Sequence, residues 1–211
     1  MTRNAHLLSL LLTALMLGGI PADSGSPTTE PAAASVGPVL GELTPHTKQQ
    51  AEIVAAATGL FTEAGLMIDT EVVASFHDST DDCAGNLGYW MDEDGVDRVR
   101  VCWTHDDEGV EAIVQTQALV HELAHAWVHR STTESTRAAF IEFSGSTSWN
   151  AADSEWNDRA TERAADLITW AILDPAVLFV EFEGESCHRW AAAYELLTSQ
   201  TAPTAIADSC A

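Results

Sequence analysis

Basic residues are scarce in this 211-residue chain: Lys and Arg together number 9, against 32 Asp and Glu, for a formal net charge of -23. Phosphates are repelled by a surface of that sign, which excludes nucleic acid as a partner. Long apolar runs are scarce as well. Only residues 7–20 form one, and it is shorter than the roughly 20 residues a comfortable membrane span needs. Cysteine occurs four times, never in C-x-x-C spacing, which argues against a cysteine-ligated zinc site. No internal repeat is present.

The short apolar run has a different use. Residues 1–22 read as a secretory signal, with Arg3 as the positive start and Pro21-Ala22 as a small-residue cleavage region. Residues 23–39 are rich in Ser, Thr, Pro and Ala, bury almost nothing, and read as a flexible linker. Residues 40–211 remain, enough for one domain with a real core. Four cysteines behind a secretion signal favour two disulfides, and local pairing gives Cys83–Cys102 and Cys187–Cys210. The expected product is secreted, free of the membrane after cleavage, and monomeric.

Periodicity gives an α+β order. Thr44-Pro45 opens a helix on which Ile53, Val54, Ala57, Leu60 and Phe61 recur at helical spacing, closed by Gly65. Strand-like stretches follow at 66–69, 71–76, 87–91 and 98–103, with a turn at Asp92-Glu93-Asp94-Gly95. The last of them alternates charged and apolar residues, as expected of a strand with one wet face. Asp106-Asp107-Glu108 suits the N-terminus of a long helix from Gly109 to about His129. A short helix fits 137–143. Another begins near Asp153 or Ser154, both good caps, and stops before Pro175. A last helix covers about 186–197.

The long helix carries His121-Glu122-Leu123-Ala124-His125. Residues four apart stack on one helical face, about 6 Å apart along the axis. Two imidazoles can then close on one zinc ion, with Glu122 beside the open position, suited to work on water. Val110, Ile113, Val114, Ala118, His121, His125 and Val128 share one stripe, so the histidines fall on the core-facing side.

Catalytic zinc sites have three protein ligands, so a third is needed. The extended H-E-x-x-H-x-x-G-x-x-H form is excluded, because Val128 and Ser131 replace its Gly and its last His. His129 lies about 12 Å along the axis from His121 and reads as a cleft-edge residue. Glu162 and Asp166 share a face of the later helix. One carboxylate can bind metal while the other accepts the far N–H of a ligand imidazole. Glu134, Glu142 and Glu155 are rival ligands.

The string His121-Glu122-x-x-His125, followed by Glu162-x-x-Ala165-Asp166, resembles the zincin metallopeptidases of the gluzincin type. The run from Glu162 to Pro175 also looks like the corresponding helix of ImmA/IrrE-like minimal peptidases. This resemblance implies Glu162 as third ligand and Asp166 as its companion. It implies a small zincin-like fold: an N-terminal helix, a short antiparallel-rich sheet, the motif helix, and a second helix carrying the glutamate. It further implies that strand 98–103 is the edge along which an extended substrate lies.

The functional expectation is a secreted zinc peptidase acting on peptide or protein substrates, with Glu122 as general base and then acid. His105, His188 and Tyr194 are candidate donors to the oxyanion. The competing expectation is a secreted zinc-binding or interaction module that keeps the scaffold without turnover. Glu122 favours the enzyme, since a structural zinc site has no need of it.

Overall fold

The first helix, α1 (Lys48–Glu63), begins at a reciprocal cap. Gln50 N–H donates to Thr47 Oγ1 (3.2 Å), and Thr47 N–H donates to Gln50 Oε1 (3.1 Å). The start thus falls at Thr47-x-x-Gln50, while the expected Thr44-Pro45 opening lies outside the described residues. A computed structural model of the chain describes residues 39–40, 47–102, 108–151, 153–173 and 187–203. All belong to one compact unit, Ser35–Ala211. The expected signal and nearly all of the expected linker lie outside them. At its other end α1 closes at Gly65, whose φ of +70° is the left-handed conformation glycine adopts freely. Leu66 N–H then reaches back to Phe61 O at 2.8 Å, and both side chains are buried.

Four strands follow the order β1-β2-β4-β3, with β1 Val39–Leu40, β2 Val72–His77, β3 Gly88–Glu93 and β4 Val96–Cys102. The expected strand at 66–69 does not form, although Leu66 and Ile68 are buried. Burial alternates along β2 and β4, so Val72, Ala74 and Phe76 face the core with Asp97, Val99 and Val101. Arg98, Arg100, Ser75 and His77 take the other face.

The architecture is α+β, but the sheet is not antiparallel-rich. β1 pairs with β2 in parallel, β2 pairs with β4 in parallel, and only β3 and β4 are antiparallel. The physical reason is the connection at 78–87. A 3-10 turn, Thr80–Cys83, is tied to the end of β4 by the Cys83–Cys102 disulfide. Cys102 N–H also donates to Leu87 O at 2.8 Å. The connection therefore passes over the end of β4 and sets β3 on its far side. The tight turn at Asp94-Gly95, both with positive φ, brings β4 back between its predecessors. Strand 98–103 is accordingly not the edge: β4 is central, and β1 and β3 are the outer strands.

The long helix α2 (Glu108–Ser131) contacts β3, β4, α1 and a later helix, α4 (Ala160–Ile172). Because it is covered on several sides it buries more than one stripe, including Leu119, Val120, Leu123, Ala124 and Ala126. Helix α3 (Glu134–Ser144) follows, capped by Thr133, whose Oγ1 accepts Thr136 N–H.

Helix α4 starts later than the good caps Asp153 and Ser154 suggest. Residues 147–149 run beside its first turn, where Ala160 N–H donates to Ser148 O (2.9 Å) and Thr161 N–H to Trp149 O (3.0 Å). A neighbouring segment takes the free N–H groups that a side-chain cap would otherwise satisfy. The last helix, α5 (Cys187–Thr198), packs on α3 and α4. Cys210 and the side chain of Cys187 lie outside the described residues, and with them the expected second disulfide.

Candidate metal centre

Two helices supply the centre. On α2, His121 and His125 are one turn apart, and their Nε2 atoms lie 3.1 Å from each other. From the first turn of α4, Glu162 Oε2 approaches His125 Nε2 at 3.1 Å and His121 Nε2 at 3.4 Å. These three atoms form a nearly regular triangle. A tetrahedral ion bound at about 2.0–2.1 Å spaces its ligands roughly 3.3 Å apart, close to these sides. Among the described residues, this is the one group of three or more His, Cys, Asp or Glu side chains that could hold a metal.

The outer nitrogens are fixed as well. His121 Nδ1 lies 3.0 Å from Asp166 Oδ1, one turn beyond Glu162. The carboxylate accepts the Nδ1–H, which leaves the Nε2 lone pair facing inward. Thr161 Oγ1 lies 3.3 Å from His125 Nδ1 and accepts its proton in the same way. Both rings are therefore turned with ligating nitrogens toward Glu162. Without a cation, three lone-pair-bearing atoms would face one another, an arrangement that a positive charge relieves.

In the metal-free protein a proton supplies part of that charge. Burial alone would lower the His121 pKa. Hydrogen bonds to Asp166 and Glu162, with the Glu122 charge, raise it instead to about 10. Burial likewise opposes ionisation of Glu162, yet hydrogen bonds from His121 and His125 hold its pKa at about 2. Glu122 behaves oppositely: burial raises its pKa, and the two histidines offset this only in part.

The rival ligands Glu134, Glu142 and Glu155 are all exposed and stand apart from the triangle. His129 turns to the rim, 3.2 Å from Asp92 on β3, so it stays off the centre. Of the candidate oxyanion donors, His105 lies outside the described residues and His188 is exposed on α5. Tyr194 is buried and lines a hollow with Leu60, Ala171 and Leu173. Ala171 is nine residues beyond Glu162, about 13 Å along α4, so Tyr194 is removed from this role.

Three features beside the centre escaped the sequence reading. The Trp90 indole on β3 lies 6.0 Å from the His125 ring, nearly parallel to it, and 5.1 Å from His129. Its Nε1–H donates to Asp97 Oδ1 at 3.0 Å. Asp97 is fully buried and also accepts from Thr70 Oγ1 (3.0 Å) and Arg130 Nε (3.0 Å). Its signal was legible, since Asp97 shares the inward parity of Val99 and Val101, where a charge needs partners. Thr161 offered no signal beyond its place before Glu162.

The chain matches no family profile, no curated protein and no solved structure. Residues and distances alone carry the functional reading.

Proposed function

We propose that this chain is a secreted zinc-dependent peptidase of gluzincin type. The observation that carries the reading is the buried triangle of His121, His125 and Glu162 with a fourth group, Glu122, beside it that takes no part in it. Two imidazoles and a carboxylate suit zinc, which when bound would polarise a carbonyl and acidify water.

The chain's own residues supply the rest. Glu122, buried between the two histidines in sequence, takes a proton from water and passes it to the departing amine. Asp166 and Thr161 hold the ligand rings in one orientation. Of the two outer strands β3 is the one that runs beside α2, so its backbone aligns an extended peptide by adding a strand to the sheet. This role passes to β3 from strand 98–103. Secretion is supported by the Cys83–Cys102 disulfide and by the apolar leader. No helix among the described residues is long and apolar enough to cross a membrane.

The test is a quenched peptide library, digested with zinc-loaded protein, then with chelator, then with Glu122→Gln. Cleavage that chelator abolishes, and that Glu122→Gln loses while still binding metal, is the expected result. Full activity in Glu122→Gln would overturn the mechanism. Metal binding without cleavage of any peptide would favour the non-catalytic module.

A further inference from the structure

Glu122 lies against Gly88 of β3, and there the fit leaves no room for a side chain. A Cβ built on Gly88 would lie 2.7 Å from Glu122 Cγ and 2.9 Å from Cδ, and closer still to Oε1. Unbonded carbons rest at about 3.5–4.0 Å, so those positions cannot both be filled. We propose that Gly88 is a positioning residue for Glu122, its missing side chain being the space in which the carboxylate rests. This rests on the peptidase reading for its catalytic consequence, but the packing relationship stands apart from it.

Backbone geometry does not explain the glycine. Gly88 is absent from the residues with positive φ, unlike Gly65, Gly85, Gly95 and Gly145. It sits in regular strand, paired with Val101, where any residue fits and glycine weakens the strand. A Cβ on Gly59, Gly85, Gly95 or Gly145 would meet nothing within 4 Å, and on Gly65 nothing nearer than 3.9 Å, so at the four of these with positive φ it is the backbone and not a neighbour that calls for glycine. Among the described glycines Gly88 alone would press a Cβ closer than 3.0 Å to another side chain, and that side chain is the one between the two metal-site histidines.

The main chain of Glu122 is held by a helix buried on several sides, so its side-chain torsions are its remaining freedom. Filling the space at Gly88 must rotate the carboxylate out of its place. The three atoms nearest a Cβ on Gly88 all belong to Glu122 and none to His121, His125 or Glu162, so the triangle should keep its spacing. One contact between helix and strand thus sets the distance from the base to whatever backbone is aligned on β3.

The experiment is a double-mutant cycle in the full chain, with two readouts. Gly88→Ala is made with Glu122, with Glu122→Asp and with Glu122→Ala. With chelator present, Gly88→Ala should lower the unfolding midpoint when Glu122 is intact. It should leave the midpoint unchanged or raise it when position 122 is Ala, because only the clash opposed the better strand former. Equal midpoint shifts in both backgrounds would overturn the proposal, and that readout holds whether or not the protein cleaves peptides. In the zinc-loaded protein, Gly88→Ala should lower kcat by about 100-fold, the scale of a misplaced general base, with zinc stoichiometry and KM kept. In the Glu122→Asp background, where the acid is one methylene shorter, the same change should cost less than about 3-fold. A loss of zinc, or equal kcat losses in both backgrounds, would count against the positioning role. Coupled midpoints in a protein without activity would leave the packing intact and reject the peptidase reading.

Discussion

Asp166 and Glu162 hold opposite sides of one imidazole: Asp166 Oδ1 lies 3.0 Å from His121 Nδ1, and Glu162 Oε2 lies 3.4 Å from its Nε2. Both acids come from one face of α4, one turn apart. A single helix therefore provides a ligand and the group that orients another ligand.

Asp166→Asn should weaken metal binding without abolishing it. The outer hydrogen bond of a ligand histidine is worth about 10–100-fold in affinity. Competition against a chromophoric chelator should show that loss, with one metal per chain still bound at saturation. Unchanged affinity would mean that Asp166 contributes nothing to the centre. Glu162→Ala should reduce the metal content itself.

Metal uptake should release protons. In the metal-free protein His121 has a pKa of about 10 and so carries a proton at pH 7, whereas a ligating imidazole must be neutral. Calorimetric titration in buffers of different ionisation enthalpy should give about one proton released per ion at pH 7. No release would show that His121 is already neutral.

The same groups set the pH profile of the metal-free fold. Glu162 has its pKa depressed from 4.5 to about 2. Its contribution is fully present above 4.5 and fades as the pH falls toward 2. His121 is raised from 6.5 to about 10, so its contribution is full below 6.5 and fades as the pH climbs toward 10. Melting temperatures in chelator should therefore fall on both sides of a window between these limits. Asp166→Asn should flatten the alkaline limb, and an unaltered limb would assign it to other groups.

Asp97 should be the costliest single residue beside the site. Removing its carboxylate leaves Arg130 with Asp92 as its remaining acid and strands the Trp90 N–H and the Thr70 hydroxyl around a buried position. Asp97→Ala should lose about 1–3 kcal/mol in denaturant unfolding, the range for leaving buried donors without an acceptor. A loss below about 1 kcal/mol, the scale of a surface pair, would mean that water replaces the carboxylate.

Reduction of Cys83–Cys102 should destabilise the sheet at the end where β3 begins. Closing a loop of this length contributes about 3 kcal/mol by the chain-entropy account. Cys83→Ser with Cys102→Ser should lower the melting temperature by about 6–12 °C at 2–4 °C per kcal/mol.

The candidate centre was largely legible in the sequence, because helical spacing is a local property. The spacing of His121 and His125 on α2, and of Glu162 and Asp166 on α4, follows from 3.6 residues per turn. Strand order was not legible. Periodicity tells which residues of β4 face inward, but nothing in it says whether β4 is an edge. That depended on residues 78–87 being long enough to pass over a strand. The start of α4 misled for a related reason. Ser154 has a good cap's chemistry, but its carbonyl accepts from Arg159 and its N–H reaches Ala151, so it shapes the turn before the helix. The part of Gly88 was not legible either, because Glu122, which lies against it, is 34 residues away in the sequence.

The central place of β4 bears on how the chain comes into being. Both of its neighbours precede it in sequence, so during synthesis β2 and β3 emerge before the strand that separates them. Until residue 102 is out, each offers an unsatisfied edge to any passing strand. Cys102 arrives as the last residue of the inserted strand, when Cys83 is the one earlier cysteine in the chain and Cys187 is still to be made. If the chain enters an oxidising compartment N-terminus first, as proposed, the Cys83–Cys102 bridge is the first that can form, and order of birth makes the choice that four equivalent thiols would otherwise leave open.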